Sequence, residues 1–468
     1  MHDDDFEREL ERRLRGYESR LPDVAPPGAM AATRPGWWRF AAGGAMAALV
    51  LVAAVVGVLF TGRDGRGVGD ATPQPSPTAT SADASPSPSS APPSGEPSVS
   101  VAASASAVPA PTQSVPADWT ATADFAVPDE RYIVSDMTAW SGGLIAVGTH
   151  YVSDERDIFG PPPAHQGVVW LSADGTAWDE LPVIDAFADI ELTHLFITPT
   201  GSLVVIGDEW TDTDGLIDVT STAWESADGR TWQRTDLRGL PDPVRIPDLV
   251  QGARGYLLSD GERLWWSADG RAWDAVLDFG EFIFDIGAGD DGFAAVGNGA
   301  PDGGSRRIAA SADGREWIDA QVPSNNLLRV APIGPDWLAV ASAPPIDASS
   351  AQPIETWRSA NALDWERAGG FVATGGASGR SCAESFGDLI TAGTIAFGST
   401  IRCGEGGLMN AGMSYASADG AEWEALPFGE AAAVRDAILL GGRLVVVTDA
   451  LTGVSASTGV TFWLSAGP

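Results

Sequence analysis

The sequence predicts an all-β fold, a seven-bladed β-propeller closed by both chain ends and preceded by a transmembrane helix and a disordered linker. Three observations carry it: a phrase built on Ser-Ala-Asp-Gly and a tryptophan recurs six times, an apolar run recurs between the copies, and the chain ends on half a copy. The phrases are VVWLSADGTAW (168–178), AWESADGRTW (223–232), LWWSADGRAW (264–273), IAASADGREW (308–317), the eroded TWRSANALDW (356–365) and SYASADGAEW (414–423). The half-copy is FWLSAGP (462–468). Their serines, Ser172, Ser226, Ser267, Ser311, Ser359, Ser417 and Ser465, lie 41 to 58 residues apart, the spacing of short β-rich units in a closed array.

Each unit also carries an apolar run, as in GGLIAVG (142–148), GSLVVIG (201–207), DGFAAVG (291–297), AGTIAFG (392–398) and GGRLVVV (441–447), with weaker versions at 253–258 and 334–340. An unbroken apolar run of about five residues fits a strand buried on both faces. Trp119 lies 25 residues before Leu144, as Trp178 does before Leu203, so it stands where the tryptophan of the truncated last unit belongs. The outer strand of the seventh blade is therefore expected near 118–127 and the rest of that blade at about 436–466. Closure of this kind removes an exposed sheet edge.

In each serine phrase the Asp and Ser oxygens can accept backbone N–H groups of a tight turn. Gly supplies a positive φ, and the tryptophan packs between blades. Asp174, Asp228, Asp269, Asp313 and Asp419, with Trp178, Trp232, Trp273, Trp317 and Trp423, are thus read as structural. The phrase resembles the Asp-box, the bacterial-neuraminidase repeat of sialidases and other propellers, with the pattern Ser/Thr-x-Asp-x-Gly-x-Thr-Trp. Here the turn is one residue shorter, and the resemblance covers about 118–468. A sialidase-like glycoside hydrolase needs an Arg triad, a Tyr nucleophile paired with a Glu, and an Asp acid. Arg245-Ile246-Pro247 lies between the second and third boxes rather than ahead of the first, and no Tyr–Glu pairing is legible among the five tyrosines. Photosystem II assembly factors, which resemble this chain in unit number, act by binding other proteins.

Cys382 and Cys403 are placed symmetrically about Ala392-Gly393. A hairpin turning there would oppose them in a non-hydrogen-bonded pair, and outside the cell a disulfide is the expected state. The loops after each apolar run emerge on the face opposite the Asp-Gly turns and vary most, so a ligand-binding rim is expected there and in the central channel. Its candidates are His150, Arg156, Asp157, His165, Glu209, Arg306, Arg307, Arg402 and Glu405. Asp208, Asp212, Asp214 and Asp218 around Gly215 offer carboxylates to a calcium ion but lack the full alternating pattern and its distal Glu. The histidines show no zinc spacing. No catalytic residue, metal or cofactor is assigned.

Ahead of the propeller the chain is organised for anchoring. Residues 1–36 form a cytoplasmic segment in which Phe6, Leu10, Leu14, Tyr17 and Leu21 draw one apolar stripe along a helix at 3–21. That stripe suits self-association or a cytosolic partner. Residues 37–60 form the membrane segment: FAAGGAMAALVLVAAVVGVLF (40–60) has no charge over 21 residues, about 31 Å of helix. Seven Arg precede it and only Arg63 and Arg66 follow closely, which places the N-terminus inside and makes the segment a signal anchor. Residues 61–117 form the linker, with eleven prolines and no aromatic residue at 71–116, a composition that stays solvated.

The chain has no lysine, the bias of an exported bacterial protein from a GC-rich genome, and its formal net charge is −35. From residue 118 onward 51 acidic residues face 19 arginines, so no nucleic-acid partner is expected and anionic glycans are poor partners unless a local Arg cluster overrides the field. The reading is a membrane-anchored extracytoplasmic module that binds or scaffolds a cell-surface protein or saccharide. The alternatives are a sialidase-like hydrolase and a sensor coupled to a cytosolic partner.

Overall fold

The computed structural model describes residues 114–466 apart from 128–129, 153–163, 214–215, 300–305, 322–323, 325, 343–352, 373–384, 404–408, 430–431 and 451–458. The expected helix at 3–21, the membrane segment at 37–60 and nearly all of the linker lie outside these residues. Among the described residues no helix is long and apolar enough to cross a membrane. Ahead of the first strand, Val115 packs against the core and Trp119 Nε1 donates to the Pro116 carbonyl at 3.0 Å.

Strand β1 spans Trp119–Phe125. Blade 1 then contains β2 (Arg131–Trp140), β3 (Gly143–Tyr151), β4 (His165–Ser172) and β5 (Asp179–Glu180). After a 3-10 turn at Asp185–Phe187, blade 2 contains β6 (Ile190–Ile197), β7 (Leu203–Thr213), β8 (Leu216–Ser226) and β9 (Gln233–Thr235). Blade 3 is β10 (Asp248–Gly252), β11 (Gly255–Ser259), β12 (Arg263–Ser267) and β13 (Asp274–Asp278). Blade 4 is β14 (Ile283–Gly289), β15 (Gly292–Asn298), β16 (Arg306–Ser311) and β17 (Ile318–Ala320). Blade 5 is β18 (Leu327–Ile333), β19 (Asp336–Ser342), β20 (Pro353–Ser359) and β21 (Glu366–Val372). Blade 6 is β22 (Ser385–Ala392), β23 (Ile395–Cys403), β24 (Met409–Ser417) and β25 (Glu424–Ala425). Blade 7 is β26 (Ala432–Leu440), β27 (Arg443–Ala450) and β28 (Val460–Ser465), completed by β1. All seven sheets are four-stranded antiparallel meanders, so the chain is a seven-bladed β-propeller closed by both ends of the domain. Trp119 pairs with Ser465 and Phe125 with Val460.

The first strand of each blade packs against the first strands of both neighbouring blades, and this cycle closes from β26 back to β2. The second strands are the predicted apolar runs. Leu144–Val147, Leu203–Ile206 and Leu444–Val447 are fully buried. They form cores between consecutive blades, as where Leu144 and Trp170 of blade 1 meet Val445 and Phe462 of blade 7. The glycine ahead of these runs has a steric cause. At Gly143 (φ +124°) and Gly292 (φ +148°) a Cβ would stand 2.3 and 2.2 Å from the Ser172 and Ser311 carbonyls of the third strand.

The serine phrases form the turns between third and fourth strands. Gly229 N–H donates to Ser226 Oγ at 2.9 Å, while the Arg230 and Thr231 N–H groups donate to Asp228 Oδ1 at 2.8 and 2.7 Å. Asp269, Asp313 and Asp419 repeat this pattern, and Asp174 takes one such bond, from Thr176 at 2.9 Å. In the eroded copy Asn361 Oδ1 accepts the same two N–H groups, and Ala362 adopts the positive φ, 57°, left by the missing glycine. The tryptophans pack at blade boundaries. Trp178 stacks on Phe462 at 4.0 Å, and Trp119 meets Phe428 edge-on at 5.2 Å.

Candidate functional site

The axis of the ring is where seven blades bring side chains together. In five of the innermost strands a register shift precedes one polar residue: Asp136 in β2, His194 in β6, Asp285 in β14, Arg329 in β18 and Asp436 in β26. In β22 the shift spans Asp388, and β10 starts directly on Asp248. A shift of this kind frees a backbone N–H from the ladder, and a freed N–H needs an acceptor.

The neighbouring blade supplies it. Asp436 Oδ2 accepts the Met137 N–H at 2.6 Å, and Asp136 Oδ2 accepts the Leu195 N–H at 2.7 Å. Asp248 Oδ2 takes the Ile286 N–H at 3.0 Å and Asp285 Oδ2 the Val330 N–H at 2.7 Å. Where the residue is not aspartate the bond changes type. His194 Nε2 meets the Ile246 carbonyl at the entry to blade 3 at 3.1 Å. Arg329 reaches Asp388 of blade 6 at 3.6 Å, and Asp388 in turn receives Arg435 of blade 7 at 3.1 Å. Each of the seven boundaries between blades is bridged by one of these side chains.

Confinement sets the charge of this ring. Burial pushes Asp248 up to about 7 and Asp436 up to about 6. Burial, reinforced by the neighbouring acid, raises Asp136 well above the ordinary carboxylate range. Burial also raises Asp285, against the pull of the Arg329 guanidinium. His194 is pushed down to about 4 by burial and is neutral at pH 7. Arg435 bridges Asp388 to the buried Asp449, which lies 2.8 Å from its Nε.

The expected rim residues do not converge on one site. His150 lies 2.6 Å from Glu130 and stacks on Tyr132 at 4.2 Å, beside a cavity of about 40 Å³ that it lines with Gln166 and Glu180. His165 is buried, its ring 5.7 Å from that of Tyr151. Glu209 pairs with Arg234 at 3.2 Å. Arg306 lies over Phe284 at 4.0 Å and bonds Asn298, whereas Arg307 pairs with Asp319 at 2.8 Å. Arg156, Asp157 and Glu405 lie outside the described residues, as does the Arg402 side chain.

The structure bears on three sequence readings. The segment offered to calcium is the tip of the β7–β8 hairpin. Asp208 accepts the Ser221 hydroxyl at 2.6 Å, and Asp218 pairs with Thr211, three ladder positions or about 10 Å farther along. These two carboxylates do not share one ion; the Asp212 and Asp214 side chains lie outside the described residues. Among the described residues no group of three His, Cys, Asp or Glu side chains is placed to hold a metal. The β22–β23 hairpin turns at Gly393-Thr394 rather than Ala392-Gly393, and its register shifts again between Phe386 and Leu389, so the symmetry drawn for Cys382 and Cys403 does not hold. Cys382 and the Cys403 side chain lie outside the described residues. Finally, a Tyr–Glu pair does exist: the Tyr151 hydroxyl donates to Glu191 across blades 1 and 2, with Arg131 over the tyrosine ring at 4.1 Å.

No family model and no curated protein matches the chain. Solved structures similar to it include YCF48 bound to D1 peptide, at 12% identity and TM-score 0.47 over 76% of this chain and 100% of that one. The β-propeller domain of the Trilobed protease from Pyrococcus furiosus gives 12% identity and TM-score 0.40 over 71% and 95%. Trypanosoma rangeli sialidase gives 11% and 0.36 over 71% of this chain and 55% of that one. The propeller rests on the seven sheets themselves, not on these likenesses.

Proposed function

We propose that the chain is a membrane-anchored, extracytoplasmic propeller of the Asp-box type that binds a protein or saccharide at the cell surface through its variable-loop face. One observation carries this reading: the polar side chains around the axis are committed to joining the blades, so the loops are the part of the scaffold left for recognition. The turn chemistry supports an Asp-box one residue shorter than the usual one. The apolar segment at 40–60 supports the anchor, and the acidic balance favours neutral or cationic ligands. The test is photo-crosslinking from the variable loops of the full-length chain on intact cells, alongside an array of neutral glycans. Specific capture supports the proposal, and labelling no stronger than from the turn face refutes it. A pull-down with residues 1–36 that yields no specific cytosolic protein removes the sensor reading.

The hydrolase reading has one observation in its favour, the Tyr151–Glu191 pair under Arg131. Against it, Tyr151 is only 4% exposed, whereas a nucleophile must reach its substrate. Fluorogenic sialosides and arabinofuranosides decide. Turnover abolished by Tyr151→Phe would replace the binding proposal, and no turnover by the wild type would end the hydrolase reading.

A further inference from the structure

We propose that the cavity of about 40 Å³ at the variable-loop end of blade 1 binds a primary ammonium, either the tip of a lysine from a partner protein or a free small amine. The strand register builds it. Tyr132, His150 and Gln166 stand side by side on β2, β3 and β4, and Trp170 of β4 pairs with Glu180 of β5, so one face of the blade carries all five. His150, Gln166 and Glu180 line the cavity, with residues 167–169 and 181–184 around them. Tyr132 stacks on the imidazole at 4.2 Å, and Glu130 holds a ring nitrogen at 2.6 Å. An ammonium is a compact charge with three donors and needs acceptors around it. The Glu180 carboxylate and the Gln166 amide oxygen are such acceptors.

Charge and size set the class of ligand. Elsewhere acids are paired with arginines: Glu209 with Arg234, Asp319 with Arg307 and Asp388 with Arg435. Among the described residues no arginine pairs with Glu130 or Glu180. Burial raises Glu180, so its anion is short of solvation, and a cation in the cavity supplies what water does not. The chain contains no lysine, so none of its own side chains offers a primary ammonium and the ligand comes from outside. Its formal net charge of −35 draws cations toward it. A cavity of this size takes about two water-sized groups, which fits an ammonium with its first methylene and excludes tetramethylammonium. The site stands on this geometry; only the choice of a protein as the lysine's source rests on the binding function proposed above.

The test is calorimetric titration of the full-length chain at fixed ionic strength with methylammonium, tetramethylammonium, a tripeptide with a central lysine and its norleucine counterpart. Methylammonium should saturate and tetramethylammonium should not. Glu180→Gln should weaken methylammonium binding about tenfold, the loss of one hydrogen bond to a charged group. Gln166→Glu adds a carboxylate to the same wall and should tighten it several-fold, a gain that misfolding cannot produce. Glu366→Gln, which removes one charge from the outer strand of blade 5, should leave it unchanged. A lysine peptide bound more tightly than methylammonium, with the norleucine peptide unbound, assigns the site to a protein partner. Methylammonium bound as well as the lysine peptide assigns it to a free amine. No saturable binding of methylammonium overturns the proposal and leaves the cavity to water; so does equal binding of tetramethylammonium, or equal weakening by Glu366→Gln and Glu180→Gln. Those results leave capture from the loop face on cells untouched, whereas amine binding without such capture keeps the site and removes the protein partner.

Discussion

Asp228 and Asp248 are the same side chain in opposite states. Asp228, in a turn, is in water and receives the N–H groups of Thr231 and Arg230, which hold it down to about 2. Asp248, half-buried at the axis, receives the Ile286 N–H, and burial drives it up to about 7. Asp269 and Asp419 show the balance between these effects: partial burial raises each, and two N–H bonds from the turn still bring the net shift below the ordinary value. The lesson is that two backbone donors at an exposed turn outweigh burial, whereas one donor at the axis does not.

The largest effect should come from removing an axial acceptor. Asp248→Ala leaves the Ile286 N–H without a partner between blades and should cost about 1–3 kcal/mol in denaturant unfolding at pH 7. Asp248→Asn, which keeps an acceptor and drops the charge, should cost far less and become neutral or stabilising at pH 8. Equal losses in both would show that shape, not hydrogen bonding, holds that boundary.

The pH profile comes next. A carboxyl raised in the fold binds its proton more tightly there than in the unfolded chain, so stability falls as pH rises from about 4 through the folded values near 6 and 7. Asp136, Asp248, Asp285 and Asp436 all act in this direction. His194 acts against them: held down to about 4, it costs stability as pH falls from 6.5 and so offsets part of the gain. The depressed turn aspartates lose their contribution only as pH falls below about 4 towards about 2, the value at Asp228. The thermal midpoint should therefore rise by a few degrees from pH 8 to a maximum near pH 5 and then drop. A midpoint that rises steadily to pH 8 would mean that the axis is wetter than its geometry implies.

The turns should give the smallest effects. Asp228→Ala removes the acceptor for two N–H groups at the surface and should cost about 1 kcal/mol, as loss of a helix N-cap does. Asp228→Asn should cost only a few tenths, since Asn361 already performs this task in blade 5. A large loss in Asp228→Asn would show that charge, rather than acceptor geometry, sets these turns.

The blades and their closure were legible because both are written as repeats. Serine, glycine and tryptophan recur where sterics permit little else, and the 25-residue offset of Trp119 placed β1. The axial ring is also written in the chain, but not as a repeat of one residue type. Asp136, His194, Asp248, Asp285, Arg329, Asp388 and Asp436 each precede the first buried residue of the following strand by seven to nine residues. Three residue types serve that position, since an acid, an imidazole and a guanidinium can all bridge neighbouring backbones, and a search for identical letters passes over it. Tyr151 and Glu191 are 40 residues apart and belong to different blades, so no local pattern joins them. The hairpin registers failed for a third reason: a shift such as that at Phe386–Leu389 leaves no mark in composition.

The pairing of β1 with β28 also fixes an order of events during synthesis. The partners Thr122 and Phe462 lie 340 residues apart. Strand β1 leaves the ribosome before any blade exists and waits, edge unpaired, until nearly the whole domain has followed it. Closure is then a single late step, and it carries a mechanical meaning as well. A pull transmitted through residue 118 falls first on the Trp119–Ser465 end of that ladder, so under load the ring would open at the seam made last.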